Sequence, residues 1–509
     1  MTDRLHRDHL PAGTQPPVTP ETVGFVHLGI GAFHRAHQAV CTEQAARATG
    51  DRRWGILGVT QRSARVRDQL RPQGGVYTVL TAGAHESSID LVGSVLDVAW
   101  PAEETGRVLS TIAAPTTHLV TLTVTEKGYC RDGAGALDRS QVDGDLAALA
   151  AETSAGADDG TAAADVVPGA SAIGLLVRGL AARQRSAAAA GERRPLTVLT
   201  CDNMVDNGRV LARLVGEAVD AALPGAEGDD LRDWLARDVT FPCSMVDRIV
   251  PATTPGQRDA VEAELGVRDE GLVVGEPFSQ WVIEDRFAGP RPAWEEAGAT
   301  LTDDVSVWER AKLRLLNGTH SLLAYAGRLA GHTTMAEAVQ DPAIAARARQ
   351  LLFDDALPTL TPPAGADLSA YGESLLERFA NPATGHTTRQ VSMDGTQKIP
   401  YRWGDTIAAR LAADHVPHGA AYALACWAEV VRREAVEGRA VDDPRGEELQ
   451  RLVAAVGDGS AEHADPVEVT RALTALPGLL PGDAAQDPRL LDAVAVEVEA
   501  LAEHTATMR

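Results

Sequence analysis

Apolar positions along this chain follow two different rhythms. Up to about residue 290, short β-branched runs recur: "GFVHLGI" (24–30), "WGILGV" (54–59), "VYTVLT" (76–81), "HLVTLTVTE" (118–126) and "LTVLTCDN" (196–203). Segments with helical spacing, such as "RAHQAVCTEQAARAT" and "NGRVLARLVGEAVDAAL", lie between them. Strand, helix, strand predicts a mostly parallel sheet with crossover connections. The Ala-, Gly- and Asp-rich stretch 131–171 reads as a loop or surface excursion. After "FAGPRPAWEEAG" (287–298) the spacing becomes helical throughout, over 305–330, 335–357, 368–379, 405–414, 418–437, 446–456, 467–475 and 488–504. The pattern predicts an α/β domain over 1–290 and an all-α domain over 291–509, consistent with a length too great for one core.

The first strand runs into "GIGAFHRAH". Gly29 and Gly31 sit between strand and helix, where a dinucleotide fold needs a tight turn and a backbone open to a pyrophosphate. His34 occupies the position of the usual third glycine. A carboxylate for the ribose diol is expected beyond the second strand, yet "GVTQRS" offers Thr60, Gln61, Arg62 and Ser63. NAD is the expected cofactor, with NADP not excluded. His6, His9, His34 and His37 have metal-like spacings but no carboxylates on a shared helix face, so no metal is expected.

A third segment, "KLRLLNGTH" (312–320), sits in a helical run although Asn317-Gly318 weakens a helix interior by roughly 1 kcal/mol. At about 100° per residue, Lys312, Glu309, His320 and Asn317 fall on one arc together with Leu313 and Leu316. Polar groups among leucines need partners. Lysine is scarce here: of 47 cationic residues only Lys127, Lys312 and Lys398 are lysine, and 44 are arginine. Arginine does not release its proton in proteins, whereas lysine can, which marks these positions for proton transfer or substrate binding.

The net charge of −24 argues against nucleic acid or an anionic membrane surface as partner. Five scattered cysteines without redox or zinc spacing suit a reducing compartment. The first residues lack the apolar core of a signal peptide and no long apolar run follows, so a cytoplasmic protein is expected.

The segments "GIGAFHRAH", "TVTEKGY", "CDN", "SMVDRI", "EPFSQWVIEDRF" and "KLRLLNGTH", in this order, resemble the polyol-specific long-chain dehydrogenase/reductase (mannitol dehydrogenase) family over about residues 24–435. The resemblance implies a Rossmann-type first domain, a helical substrate-binding and catalytic second domain, and zinc-independent hydride transfer with a nicotinamide cofactor. It assigns Lys312 as general acid/base, Asn317 and Asn203 as hydrogen-bond donors to the reacting oxygen, His320 to substrate orientation and Glu309 to proton exchange with solvent. It places Gly29, Ile30, Gly31, Ala32, Phe33 and Arg35 in the cofactor turn, and Glu126 and Asp247 in the lining of the cofactor and substrate site. Asn207 competes with Asn203; Asn203 is preferred because it directly ends a strand.

The chemistry suits those residues. Oxidising a secondary alcohol removes a hydroxyl proton while hydride leaves the same carbon, and amide donors stabilise the alkoxide-like oxygen. A lysine whose pKa burial lowers from about 10.4 can take that proton. The segment "RFANPATGHTTRQVSMDGTQKIPYR" resembles fructuronate reductases more than mannitol 2-dehydrogenases, and its Arg389, Lys398 and Arg402 could bind a carboxylate. The expected substrate is a small sugar acid, fructuronate or mannonate, with fructose/mannitol or another polyol of the family as the alternative. A catalytically silent nucleotide-binding protein is the reading from another class. A monomer or small homo-oligomer is expected.

Overall fold

The computed structural model describes residues 3–83, 86–154, 166–363 and 365–507, in two compact units that meet in sequence between Ser306 and Val307. Strands of the first unit are β1 (Val23–Leu28), β2 (Gly55–Val59), β3 (Tyr77–Ala82), β4 (Ser87–Val92), β5 (Val95–Ala99), β6 (Leu119–Leu122), β7 (Leu196–Thr200), β8 (Val239–Thr240), β9 (Ser244–Asp247), β10 (Val273–Gly275), β11 (Gln280–Glu284) and β12 (Thr300–Thr302). Six of them form one parallel sheet in the order β5-β2-β1-β6-β7-β8. Counting only those six, the order is 3-2-1-4-5-6, the doubly wound arrangement with its switch point between β1 and β6.

The strands are apolar nearly throughout because both faces of the sheet are covered. Val26, Leu28, Val59, Val120 and Leu122 pack into one core, Phe25, Ile56, Leu119 and Leu199 into the other. Two small sheets complete the unit, β10-β3-β4 and β12-β11-β9. Strand β3, read from sequence as one of the main series, leaves the large sheet to pair antiparallel with β4, whose first four residues are largely exposed and whose last two are buried.

The unit continues past the boundary expected near 290. Trp294 is fully buried beside Trp281, with ring centroids 4.5 Å apart, and its indole N–H donates to Thr42 Oγ1 at 3.0 Å. β12 then pairs with β11. The stretch 131–171 contains a helix, Arg139–Ser154, which buries Val142, Leu146 and Leu149 at helical spacing; residues 155–165 of that stretch lie outside the described residues.

The second unit is helical, and the helices Leu368–Phe379, His418–Val436, Gly446–Val456, Pro466–Thr474 and Pro488–Thr507 follow the sequence expectation to within a few residues. His418–Val436 runs through the core with Ala420, Leu424, Cys426 and Trp427 inside. Three stretches widen into π-helix: Lys312–Asn317, Gln350–Ala356 and Pro400–Gly404. Among the described residues no helix is long and apolar enough to cross a membrane.

Candidate active site

At the carboxyl end of β1 the chain turns sharply. Gly29 has φ +92°, and a Cβ there would stand 2.2 Å from the Thr123 carbonyl oxygen at the end of β6. Only glycine fits such a turn at the switch point. Gly31 differs: it is exposed, its φ is −84°, and a Cβ would meet nothing nearer than 3.8 Å. Packing within the protein therefore does not demand glycine at 31, and the bare backbone is left open to a ligand. These two positions fit a dinucleotide turn.

Ile30 buries its side chain in the core, while Ala32 and Phe33 are half-buried, the Phe33 ring stacked on His37 at 5.2 Å. Arg35 is turned inward. Its guanidinium donates to the carbonyls of Gly271 (2.6 Å) and Gly31 (3.2 Å), so it braces the turn from beneath. His34 explains how the third glycine is dispensed with. Its ring lies flat on His27, with centroids 3.4 Å apart and planes 14° from parallel, so helix and strand still approach closely. Burial, with His27 and Arg35 adding to it, holds the His34 pKa well below 6.5 and keeps the ring neutral. The Gln38 amide lies near the ring without a bond of good geometry.

The loops after β6 and β7 are tied together by Asp202. Its carboxylate accepts from the backbone N–H of Val124 (3.0 Å) and Thr125 (2.8 Å) and from the Tyr129 hydroxyl (2.9 Å). Burial pushes the Asp202 pKa up, and the backbone donors partly offset that. Thr125 is held at φ +63°, and Glu126 after it is exposed. Sequence reasoning overlooked Asp202, although it stands within the "CDN" segment.

The two competing asparagines separate cleanly. Asn207 is fully buried; its amide donates to the carbonyls of Asp202 (3.0 Å) and Ser244 (2.7 Å) and accepts from the Ser244 N–H (3.1 Å). Its polar atoms are committed to the fold; Asn203, just beyond the end of β7, is exposed. Asp247 is buried at the end of β9.

In the second unit, helix Ser306–Ala311 passes through the π stretch Lys312–Asn317 into helix Gly318–Ala330. Lys312 and Glu309 are 7% and 8% exposed, and His320 is half-buried. The 100° wheel does not hold across the i→i+5 stretch, so regular helical spacing alone does not relate Asn317 and His320 to Lys312. Carbonyls at the end of this stretch are caught by the π segment Pro400–Gly404: Arg402 donates to Asn317 O (3.3 Å) and Trp403 to Gly318 O (3.0 Å). The weak Asn-Gly pair thus marks a widened turn held from outside. Asn317 Oδ1 is buried without a hydrogen-bond donor, as is Nδ1 of His386 without a partner. Such orphaned atoms are rare in finished interiors and suit a ligand rich in hydroxyls.

His320 stacks on Phe379 at 5.0 Å and on His386 at 5.7 Å. Burial chiefly holds its pKa well below 6.5; His386, itself held low by burial, and the charges of Arg402, Arg378 and Lys398 press in the same direction. The imidazole is therefore neutral at pH 7, in a cationic field. Of the residues expected to meet a carboxylate, Lys398 belongs to this group; its ammonium donates to the Met393 carbonyl at 2.5 Å and lies 3.8 Å from the Asp394 carboxylate. Arg389 is at the surface, paired with Asp442 at 3.0 Å. Arg378 and His386 were not singled out from sequence, although the quoted stretch that ends at Arg402 contains both.

The two units also match known families. Residues 23–296 match the model of the mannitol dehydrogenase Rossmann domain, and 304–478 that of the mannitol dehydrogenase C-terminal domain. The chain belongs to the mannitol dehydrogenase family of oxidoreductases. It is 38% identical to the D-mannonate oxidoreductase of Escherichia coli, over 94% of this chain and 93% of that one. A mannitol 2-dehydrogenase of Aspergillus terreus is 33% identical, over 94% and 90%. Among solved structures, the ternary complex of Pseudomonas fluorescens mannitol 2-dehydrogenase with NAD and D-mannitol aligns with TM-score 0.78 at 31% identity, over 99% and 98% of the chains. A D-sorbitol dehydrogenase in substrate-free form aligns with TM-score 0.82 at 28% identity, over 99% of each chain.

Proposed function

We propose that this oxidoreductase is a zinc-independent reductase of a keto sugar acid, interconverting fructuronate and mannonate with NAD. The cationic field around His320, on the helix that carries Lys312, is the observation that carries this reading. NAD, when bound at the Gly29–Gly31 turn, supplies the hydride chemistry. Lys312 exchanges the proton of the reacting oxygen, and Asn317 steadies that oxygen by hydrogen bonding. Neutral His320 orients a neighbouring hydroxyl, and Glu309 passes the proton onward to solvent. Asn203, with Glu126 and Asp247, is assigned to substrate and cofactor on the family resemblance.

Lys398 is the proposed anchor of the carboxylate, with Arg378 and Arg402 strengthening the field; Arg389 can join only by releasing Asp442. A sugar acid gains a charge-assisted bond here that a hexitol cannot make. The identity to a D-mannonate oxidoreductase supports the same substrate, while the mannitol 2-dehydrogenase relatives support fructose and mannitol as the second reading. Five free, buried cysteines support a cytoplasmic setting.

The test is NADH oxidation with fructuronate, tagaturonate, fructose and fructose 6-phosphate, before and after exhaustive chelation. Fructuronate should give the largest kcat/KM, and chelation should leave it unchanged. Lys398→Met should lower the fructuronate-to-fructose ratio of kcat/KM by one to two decades, the worth of a charged hydrogen bond. Preference for fructose in the unaltered enzyme would give the second reading its place, and loss of activity reversed by zinc would remove the lysine mechanism.

A further inference from the structure

The dinucleotide reading leaves one part of the first unit unexplained. In the 3-2-1-4-5-6 sheet, the carboxyl end of β2 is where a carboxylate recognises the adenosine ribose diol of NAD, and where an arginine instead accommodates a 2′-phosphate. Here β2 ends in Thr60-Gln61-Arg62-Ser63, without a carboxylate. Thr60 is consumed by the fold, its N–H donating to the Ala99 carbonyl at 3.0 Å and its side chain buried. Gln61 presents a buried amide nitrogen with no acceptor. Arg62 and, one turn on, Arg65 are exposed, and among the described residues neither guanidinium meets a carboxylate.

That is unusual in a chain with 71 carboxylates against 47 cationic residues. The neighbouring acids are already committed to other arginines: Asp68 and Glu103 to Arg67, Asp97 and Glu104 to Arg71 and Arg107. Ion pairing lessens the repulsion these acids would exert on a phosphate at this edge. The edge offers an unpaired guanidinium, the Ser63 hydroxyl and an orphaned amide donor, which together suit a dianionic ester.

We propose that the turn Gln61–Ser63 binds the 2′-phosphate of NADP(H), so that the enzyme accepts the phosphorylated coenzyme alongside NAD(H). Arg62 supplies the charge, and Gln61 and Ser63 supply neutral hydrogen bonds. Gln61 alone can serve the unphosphorylated diol, which keeps NAD(H) in use. The inference rests on the coenzyme reading above and concerns only the adenosine end.

Calorimetric titration of the full chain with 2′,5′-ADP and with 5′-AMP tests it without any turnover. The phosphorylated nucleotide should bind one to two decades more tightly, the worth of a charge-assisted hydrogen bond, and added salt should narrow the gap. Arg62→Ala should abolish the preference while leaving 5′-AMP affinity as it was, and Arg62→Asp should reverse it. Equal affinity for the two nucleotides in the unaltered protein overturns the inference, as does a preference that survives Arg62→Ala. Binding of neither nucleotide overturns the coenzyme reading itself and this inference with it.

Discussion

Replacing each glycine of the first turn by alanine should separate folding from ligand binding. At Gly29 the left-handed φ costs an L residue roughly 1–2 kcal/mol. The added methyl must also clear a backbone oxygen 2.2 Å away, an overpacking that costs roughly 1–3 kcal/mol more. The sum, about 2–5 kcal/mol, falls on the junction of β1 and β6 and should lower the urea midpoint of the first unit clearly. At Gly31 the same methyl has 3.8 Å of clearance and an ordinary φ. Its cost is at most about 1 kcal/mol, since glycine caps a helix better than alanine. Gly31→Ala should therefore fold normally but lose most of its NADH affinity, because the methyl occupies the opening left for the pyrophosphate. Urea denaturation followed by tryptophan fluorescence, and NADH titration of the folded protein, measure both halves. The reasoning is refuted if Gly29→Ala lies within about 1 kcal/mol of the unaltered protein, or if folded Gly31→Ala binds NADH as before.

Three further expectations follow from named residues. Lys312→Ala should lower kcat by orders of magnitude with NADH affinity nearly unchanged, measured by single-turnover kinetics and direct titration. Asn207→Ala should cost about 2–4 kcal/mol of stability by stranding Ser244 N–H and two carbonyls, whereas Asn203→Ala should cost little stability and much activity; unfolding curves beside kcat distinguish the pair. Burial raises the Asp355 carboxyl from its ordinary 3.8 to about 6, despite the Ala420 N–H that donates to it at 2.9 Å. The folded state then holds its proton more tightly than the unfolded one, so this group's contribution is greatest below pH 4 and declines by roughly 2–3 kcal/mol as pH rises to about 6. The stability difference between the unaltered protein and Asp355→Asn should follow that curve in pH-resolved denaturation; a flat difference removes the assignment.

Four of the six strands of the parallel sheet, β1, β2, β6 and β7, and most helices of the second unit were legible because burial on two faces or one stripe writes itself into residue spacing; the edge strands β5 and the two-residue β8 were not. What escaped was decided by distant partners. Strand β3 has the same apolar signature as its neighbours, yet pairs with β4, which is too exposed over its first four residues to stand out as a strand. Helix Arg139–Ser154 hid in an Ala-rich stretch, where three apolar residues carry the packing. Trp294 is tied into the first unit through Trp281 and through Thr42, the latter 252 residues away in sequence. In the candidate site, Lys312, Asn317 and His320 were visible as polar residues on an apolar helix. Sequence spacing could not show that Arg389 reaches Asp442 at the surface, 53 residues away, or that Asn207 is spent on Ser244.

The widened turn at Lys312–Asn317 has a bearing on length variation in this helix. A π stretch holds one residue more than an α-helix would in the same hydrogen-bonded span. Loss of a single residue there, Leu313 for instance, would let the segment relax into regular α-helix with its apolar face largely intact. The helix on either side would keep its phase, because the wide turn already absorbs the extra residue, and the change would fall on Lys312–Asn317 alone. The carbonyls of Asn317 and Gly318, now held by Arg402 and Trp403, would return to the helix ladder. A relative one residue shorter at this point could carry the same helix before and after it and lack only the widened turn.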